Sequence, residues 1–570
     1  MLTVNSTPSM AERITTLAAG ACFAAMSLLA RYLPMTDLPL HEGVVGLLRH
    51  FGDDAYMPKD LYVLNFGHPN QLFYVLAWLL SYVMSTSMAV KVVIAAAQVL
   101  IFVGAAHLAD YLGRRRWGAL LVTPLALGFT YYWGLVANLV GYAALLFSLP
   151  LIDEAAARPT LRNTAKVTLA LLVLFFAHES IFVIAAGVVG VFAVLQPLSK
   201  KTVVRVVPAV LAAVLAIGHQ FWARKFFTKG QAHVPTTYLS LPEKIELFPN
   251  VLFGSHEVLQ QLLLLGLSLG ALGLFTYARV EEARSRAAAE EAVAVSEQRS
   301  EGRFAIVRER LWHHRFEVIA LLHFAAYLLV PFTWRGATLI HERFLGPGWA
   351  ILVIVMSPRV LAPRLGKIIA AVVPIGVLLI SWPQFVDAHR AYTDLDALIE
   401  KIPTGATITQ TSVDRPAYRT RVYSASTGPA RIAADRGGRV GLSLTFSPIS
   451  PVQIRREYRW DEYNFRIAYQ GSKTLKPTYD LTRYEWLVAQ SRDPAIREIL
   501  VKVLSPDAEF VMAKGEWILL HSKHPMVPIL SPDAPAPPEI ETVWDRVRAV
   551  LEAAPASEAI GRSATEQGGP

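Results

Sequence analysis

Three polar clusters interrupt an otherwise apolar chain, and their residue types suit one kind of chemistry. The first lies in Met35 to Asn70, MTDLPLHEGVVGLLRHFGDDAYMPKDLYVLNFGHPN, which holds Asp37, His41, Glu42, Asp53, Asp54 and Asp60. The second is FFAHES, with His178 and Glu179, and the third is TWRGATLIHERF, with Arg335, His341, Glu342 and Arg343. Ionisable groups beside a bilayer are costly unless something pairs or uses them, so their concentration marks a functional place. Carboxylates can deprotonate a hydroxyl, and Arg and His can hold a phosphate. Brought to one mouth, they would serve a lipid-phosphate-linked substrate: a base for the acceptor, cations for the departing phosphate and a groove for the tail. Each cluster also has a plainer reading. Asp37 and Glu42 could be solvated loop residues, and Asp53, Asp54 and Asp60 more readily so; His178 and Glu179 could cap a helical turn; His341, Glu342 and Arg343 could form a snorkelling interfacial salt-bridge cluster.

Other site chemistries find no support in the sequence. HEGVV and HES have no second His four residues on, so they do not match a zincin helix. There is no phosphate-cradling Gly loop, no Ser nucleophile elbow and no dinucleotide fingerprint, and Gly437-Gly438 reads as a turn. The single cysteine, Cys22, lies in the first apolar run, which leaves no intramolecular disulfide and no Cys-based metal site. No cofactor is indicated, and no residue set argues for a divalent metal.

The elements that must position these residues are membrane spans. With 53% hydrophobic and 17% charged residues over 570 positions, the composition is that of a polytopic membrane protein. The formal charge of +9 does not indicate nucleic acid, because Lys and Arg sit mostly in short loops beside apolar runs, with no interleaved aromatic patch. Segments of spanning character are Ile14 to Leu33, Met88 to Ala109, Trp117 to Trp133, Leu135 to Ile152, Ala165 to Ala177 and Ile181 to Leu195. They continue with Val203 to Trp222, Val258 to Tyr277, Phe316 to Phe332, Gly348 to Met356 and Lys367 to Trp382. The first is expected to be an uncleaved anchor.

Charge placement then orients the chain. With the polar C-terminal part outside, the basic groups Arg114-Arg115-Arg116, Arg158/Arg162/Lys166, Lys200/Lys201/Arg205, Arg279 to Arg315 and Arg359/Arg364/Lys367 all fall in the cytoplasm. This holds if Gln71 to Ser85, QLFYVLAWLLSYVMS, lies along the outer interface instead of spanning. The expectation is about eleven spans, with the N-terminus inside and the first loop, 34–87, outside. The loop 279–315, rich in Ala, Glu and Arg at helical spacing, reads as a solvated cytoplasmic helix.

The resulting fold class is mainly α: a transmembrane helical bundle over 1–383, then a small extracytoplasmic α/β domain over 384–524. In that domain LDALIEKI and AIREILVKVL read as helices, ATITQTSV, GLSLTF and YEWLVAQ as strands, and AEFVMAKGEWILLH as a hairpin near Lys514-Gly515. A Pro/Ala-rich tail, 525–570, reads as partly disordered with one short helix near Glu539 to Leu551.

An acidic motif (TDLPLHE) opening the first external loop, followed by a Pro-headed aromatic run (GHPNQLFYVLAWLLS), resembles the GT-C fold glycosyltransferases that use polyprenyl-phosphate sugars. YYWGLVANLVGYAALLFSLPL, LLVLFFAHESIFVIAAG and HERFLGPGWAILVIV are similar to later spans of uncharacterised bacterial members, so the resemblance covers Ile14 to Trp382. It implies a glycosyltransferase of the bacterial inner membrane. Such an enzyme moves a sugar, with inversion, from a polyprenyl-phosphate donor to an external glycan, lipid or protein acceptor. It further implies Asp37 as the catalytic acid residue acting as base, with Glu42 as second candidate, and His178 and Arg343 at the donor phosphate. The residues themselves add His41 as an assisting group and Glu179, Arg335 and His341 as further candidates for binding the lipid phosphate. Members often carry a paired acidic motif, whereas here Leu38 follows Asp37. The rival reading from another class is a transporter or lipid flippase gated by the same loop; against it stand the lack of a paired-half repeat and of mid-span charge beyond Lys91.

Overall fold

The computed structural model of the chain describes residues 8–57, 61–197, 201–223, 236–254, 257–291, 303–334, 338–360, 362–413, 425–441, 443–447, 449–455, 475–526 and 540–553. The chain begins with α1 (Met10–Leu29), α2 (Leu38–Arg49), the strand β1 (Tyr62–Leu64), α3 (Leu72–Leu80) and α4 (Thr86–Tyr111). A 3-10 turn at Arg116–Val122 leads to α5 (Thr123–Leu127), α6 (Phe129–Trp133), α7 (Val136–Ala157), α8 (Leu161–Ala177), α9 (Glu179–Leu195) and α10 (Lys201–Ala223). The bundle is completed by α11 (Leu241–Phe253), α12 (Val258–Glu291), α13 (Arg303–His313), α14 (Arg315–Leu329), α15 (Glu342–Met356) and α16 (Arg364–Ile399). Among the described residues, α4, α7, α10, α12 and α16 are long and apolar enough to cross a bilayer, and α9 is a shorter apolar helix. The chain is a membrane protein of mainly helical build.

One expected span is not a single helix. Trp117 to Trp133 is broken into the 3-10 turn, α5 and α6, all packed inside the bundle. Pro124 and Gly128 account for the break. A Cβ at Gly128 would lie 2.1 Å from the Leu252 carbonyl oxygen and 2.2 Å from that of Pro124, so only glycine fits there. Breaking a helix in an apolar interior frees carbonyls that must be bonded elsewhere. Trp349 Nε1 donates to the Leu121 carbonyl at 2.8 Å, and Gln98 Nε2 donates to that of Ala126 at 3.0 Å, with Ser27 holding Gln98 in turn at 2.9 Å.

Within Gln71 to Ser85 the helix is α3, whose 9 residues extend about 14 Å, too short to span. Leu76 and Leu79 on it are exposed, as an interfacial helix requires.

The 36 residues of α16 run about 54 Å, past any bilayer, and its C-terminal part becomes one layer of the α/β region. The position 383 is inside this helix. Following it are β2 (Thr407–Ser412), α17 (Ile432–Asp435), β3 (Arg439–Val440), β4 (Val452–Ile454), β5 (Trp486–Gln490), α18 (Pro494–Leu504), β6 (Ala508–Lys514), β7 (Trp517–Ser522) and α19 (Val543–Ala553). Five strands form a mixed sheet of order β3-β2-β5-β7-β6, parallel across the first three and antiparallel from β5 onward. Side chains alternate across it as a strand demands. Val488 and Leu519 pack with Leu395 and Leu398 of α16, while Leu487, Ala489, Ile518 and Leu520 pack with Leu500, Leu504, Val543 and Val547 of α18 and α19. The hairpin turns at Gly515 (φ +55°). GLSLTF is not a strand: Ser443 Oγ accepts the Thr445 amide and starts a 3-10 turn at Leu444–Phe446. Of the tail, 527–539 and 554–570 lie outside the described residues.

The first loop is built into this C-terminal region. Strand β1 pairs antiparallel with β4, Tyr62 opposite Ile454 and Leu64 opposite Val452. A hydrogen-bonded ladder cannot straddle a bilayer, so loop and α/β region share one side of the membrane. Helix α2 packs on α17 through Gly43 and Gly46; a Cβ at Gly46 would lie 2.5 Å from the Ala434 Cα.

Candidate active site

Asp37 stands at the N-terminus of α2, where the chain turns against the end of the broken segment. The Thr36 amide donates to the Tyr132 carbonyl at 2.9 Å and the Asp37 amide to that of Trp133 at 3.0 Å. Gly134 makes this approach feasible, because its φ is +88° and a Cβ on it would lie 2.7 Å from the Asp37 nitrogen. The Asp37 carboxyl is half-buried, and among the described residues no side chain or amide hydrogen-bonds or ion-pairs with it. Burial therefore acts unopposed and pushes its pKa up to about 7. A carboxyl with that affinity for a proton is suited to general-base work near neutral pH.

His41, one turn on, is fixed rather than free. Its Nδ1 lies 2.6 Å from the Tyr74 hydroxyl, and its ring donates to the Gly134 carbonyl. Burial outweighs that backbone bond and lowers its pKa to about 4, so the ring is neutral at physiological pH. The Tyr74 phenol, raised first by burial, also feels the Asp37 carboxylate, which places Asp37, Tyr74 and His41 in one group.

Glu42 faces the other way, into the contact with the C-terminal region. Ser87 Oγ donates to its Oε1 at 2.6 Å, and Arg431 Nε is 3.6 Å from its Oε2. Arg431 also pairs with Asp396 at 2.9 Å and lies 3.6 Å from Asp435, while Tyr32 donates to Asp396. Burial raises the Glu42 pKa, and Arg431 and Ser87 partly oppose it.

The structure brings His178, Glu179 and Arg343 together on the flank of α7. His178 ends α8 and caps α9: its Nδ1 accepts from the Ser180 amide at 3.2 Å and lies 2.8 Å from Ser180 Oγ. That leaves Nε2–H as its donor. The Glu179 amide donates to Asn70 Oδ1 at 2.8 Å, and Gln220 Nε2 donates to its carboxylate at 3.2 Å. Asn70 itself has φ +67°. The Arg343 guanidinium lies within electrostatic reach of Tyr142, Glu179 and His178, and its hydrogen bond to the Thr338 carbonyl is long, at 3.4 Å. Gly141 lets the α8–α9 turn approach α7, since a Cβ there would lie 3.2 Å from that of His178.

His341 does not join this group. It is fully buried, with Nδ1 2.9 Å from Glu342 and its ring among Tyr327 and Phe332. Arg335 lies outside the described residues, as does Asp60. Asp53 accepts the Ala55 amide at 3.0 Å and, like Asp54, is exposed. Among the described residues no group of three or more His, Cys, Asp or Glu is placed to hold a metal ion.

Sequence reasoning missed two residues of consequence. Tyr74 was legible only as an interfacial aromatic, and Arg431 sits in an unremarkable TGPARIAAD stretch whose one signal was a basic residue next to small ones. It also missed the pair His68 and His219, whose Nδ1 and Nε2 are 2.9 Å apart under Trp222.

Solved structures to which the chain is similar include two membrane proteins. One is ArnT from Cupriavidus metallidurans bound to undecaprenyl phosphate, with a TM-score of 0.48 and 11% identity, covering 90% of this chain and 98% of that one. The other is the arabinofuranosyltransferase AftD from Mycobacteria, with a TM-score of 0.46 and 13% identity, covering 91% of this chain and 40% of that one. At scores below 0.5 and identities this low, the likeness settles neither a shared fold nor a shared activity. No protein-family model matches the chain, and no curated protein matches it.

Proposed function

We propose that the chain is a membrane glycosyltransferase that moves a sugar from a polyprenyl-phosphate donor to an acceptor hydroxyl, with inversion. The observation that carries this reading is the Asp37 carboxyl: half-buried, without a partner among the described residues, and raised to about 7. Gly134 touches Asp37, and Tyr142, eight residues on, faces Arg343. Along α7, which begins at Val136, the six residues to Tyr142 rise about 9 Å. That rise leaves room between base and guanidinium for a sugar and its phosphate.

In the proposed step Asp37 takes the proton of the acceptor hydroxyl as its oxygen attacks the anomeric carbon. The bond to the phosphate oxygen breaks with its electron pair, and the charge that develops there is met by the Arg343 fork and by His178 Nε2–H. His41, held neutral, orients Tyr74 beside the base. The C-terminal α/β region, knitted to the loop, would choose the acceptor. In this reading the membrane is a bacterial inner membrane and the loop faces outward.

The test is sugar transfer from membrane-extracted lipid donor by Asp37→Asn and Glu42→Gln variants. Loss in Asp37→Asn with the fold retained supports the reading. Full activity in Asp37→Asn ends the site assignment, and lipid translocation without any transfer ends the enzyme reading in favour of a flippase.

A further inference from the structure

The basic triplet Arg114-Arg115-Arg116 looks in sequence like a topology signal, but its three members have different fates. It follows α4, whose N-terminal Ser87 meets Glu42. The 26 residues of that helix place the triplet about 39 Å from the loop, at the opposite membrane face. Arg115 pairs with the buried Glu12 at 2.8 Å, and Arg116 holds Asp110 with two bonds of 2.9 and 2.5 Å. Arg114 has neither. Among the described residues its guanidinium meets no carboxylate at ion-pair distance and donates no hydrogen bond.

Its surroundings add cations instead of removing them. The Arg115 amide donates to the Pro358 carbonyl at 2.9 Å, and Ser357 Oγ donates to that of Arg115 at 2.8 Å, so the triplet is fastened to the turn that carries Arg359. Arg279 of α12 bonds the Val355 carbonyl at 3.0 Å beside it. The nearby carboxylates are already engaged: Glu317 by Arg279, and Glu282 by the amides of Arg359 at 3.0 Å and Val360 at 2.8 Å. Burial first, then Arg279 and Arg359, push the Arg114 guanidinium below its ordinary pKa. A planar fork held partly out of water beside two like charges is the arrangement a phosphate oxygen pair relieves.

The margin of this joint indicates where such a phosphate comes from. Val280, Val360, Leu365 and Ile368 are exposed around it, on α12 and α16, which are long and apolar enough to cross a bilayer, or on the turn that precedes α16. Apolar side chains facing lipid next to a desolvated guanidinium at a helix end describe headgroup depth. We propose that the joint between Arg114, the end of α12 and the 357–360 turn binds the phosphodiester headgroup of an anionic membrane phospholipid, with Arg114 supplying the fork.

The test uses the full chain in phosphatidylcholine nanodiscs, with and without phosphatidylglycerol, and reads lipid retention by native mass spectrometry alongside the unfolding midpoint. The wild type should retain phosphatidylglycerol and unfold at a higher temperature with it. Arg114→Gln should bind it about tenfold more weakly, Arg116→Gln should bind it as the wild type does, and inorganic phosphate should give no shift. In phosphatidylcholine alone, Arg114→Gln should be at least as stable as the wild type, because it removes an unrelieved charge; that result separates lost binding from lost folding. Equal phosphatidylglycerol retention by Arg114→Gln and wild type would overturn the proposal. So would a full shift from inorganic phosphate, or an equal loss of stability in both lipids, which would mean that a carboxylate of the chain itself pairs with Arg114.

Discussion

The Asp37 amide donates to the Trp133 carbonyl at 3.0 Å, across the turn made by Gly134. The candidate base is thereby positioned by the last turn of a broken, buried helical segment, and not by its own loop. The same break exposes the Gly134 carbonyl to His41. A defect in the bundle's regularity and the placement of the site are one feature.

Gly134→Ala is therefore expected to cost activity out of proportion to stability. The substitution strains a φ of +88° and drives a methyl to 2.7 Å from the Asp37 nitrogen. The backbone term is on the order of 1–3 kcal/mol, whereas a displaced base loses its geometry. Transfer should fall at least about 100-fold; a variant that unfolds more readily but keeps its turnover per folded molecule would show that Gly134 is structural only.

Glu42 and Arg431 are expected to behave as a clamp. Removing one partner of a buried pair leaves the other charge uncompensated, at about 3–5 kcal/mol. Glu42→Gln and Arg431→Met should each destabilise the chain, and the double variant should recover part of the loss, measured as a double-mutant cycle of unfolding free energies. Residual activity of Glu42→Gln should keep the acid limb of its pH profile where the wild type has it. A moved limb would make Glu42 the base.

The legible parts of the molecule are those in which a local pattern decides structure. Long apolar runs gave α4, α7 and α16, alternation gave β5 and the β6–β7 hairpin, and the aromatic stretch around Trp78 gave a helix too short to span. Trp117 to Trp133 misled because hydropathy records burial and not continuity; Gly128 breaks the helix through contacts with Pro124 and with Leu252, far along the chain. Of the candidate site, the approach of Arg343 to His178 and Glu179 was readable from ionisable residues near spans, and the same pattern is what singles out Asp37 for test. The engagement of Glu42 with Arg431, and the pairing of β1 with β4, were not, because each joins residues almost 400 positions apart.

Arg343 is expected to act on the donor end. Arg343→Gln should lower kcat/KM for the lipid donor by about 100-fold, and Arg343→Lys should recover little, since an ammonium cannot offer two parallel bonds to a phosphate. His178→Asn, which can still cap α9, should keep stability within about 1 kcal/mol and lose part of the rate. Donor titrations with both variants check this. Recovery by Arg343→Lys to wild-type rates would reduce Arg343 to a point charge.

The pH dependence of Asp37 carries opposite signs for activity and stability. Its base form predominates only above about 7, so kcat/KM should rise tenfold per pH unit below that value and level off above it, in place of the limb near 4 that an ordinary carboxylate gives. The folded chain binds this proton more tightly than the unfolded chain, whose carboxyl has the ordinary value of 3.8. Stability from this group is thus fully present below the unfolded value and is lost as pH rises through 7. Asp37→Asn removes the proton altogether. It should abolish transfer, by about 100-fold or more, while making the chain more stable than the wild type at pH 8 by on the order of 1 kcal/mol, allowing for solvent screening of a half-buried group. Unfolding curves of the two proteins at pH 5 and pH 8 measure the difference. An Asn variant less stable than the wild type at pH 8 would mean that the carboxylate has a partner in the folded chain and that Asp37 is not a poised base.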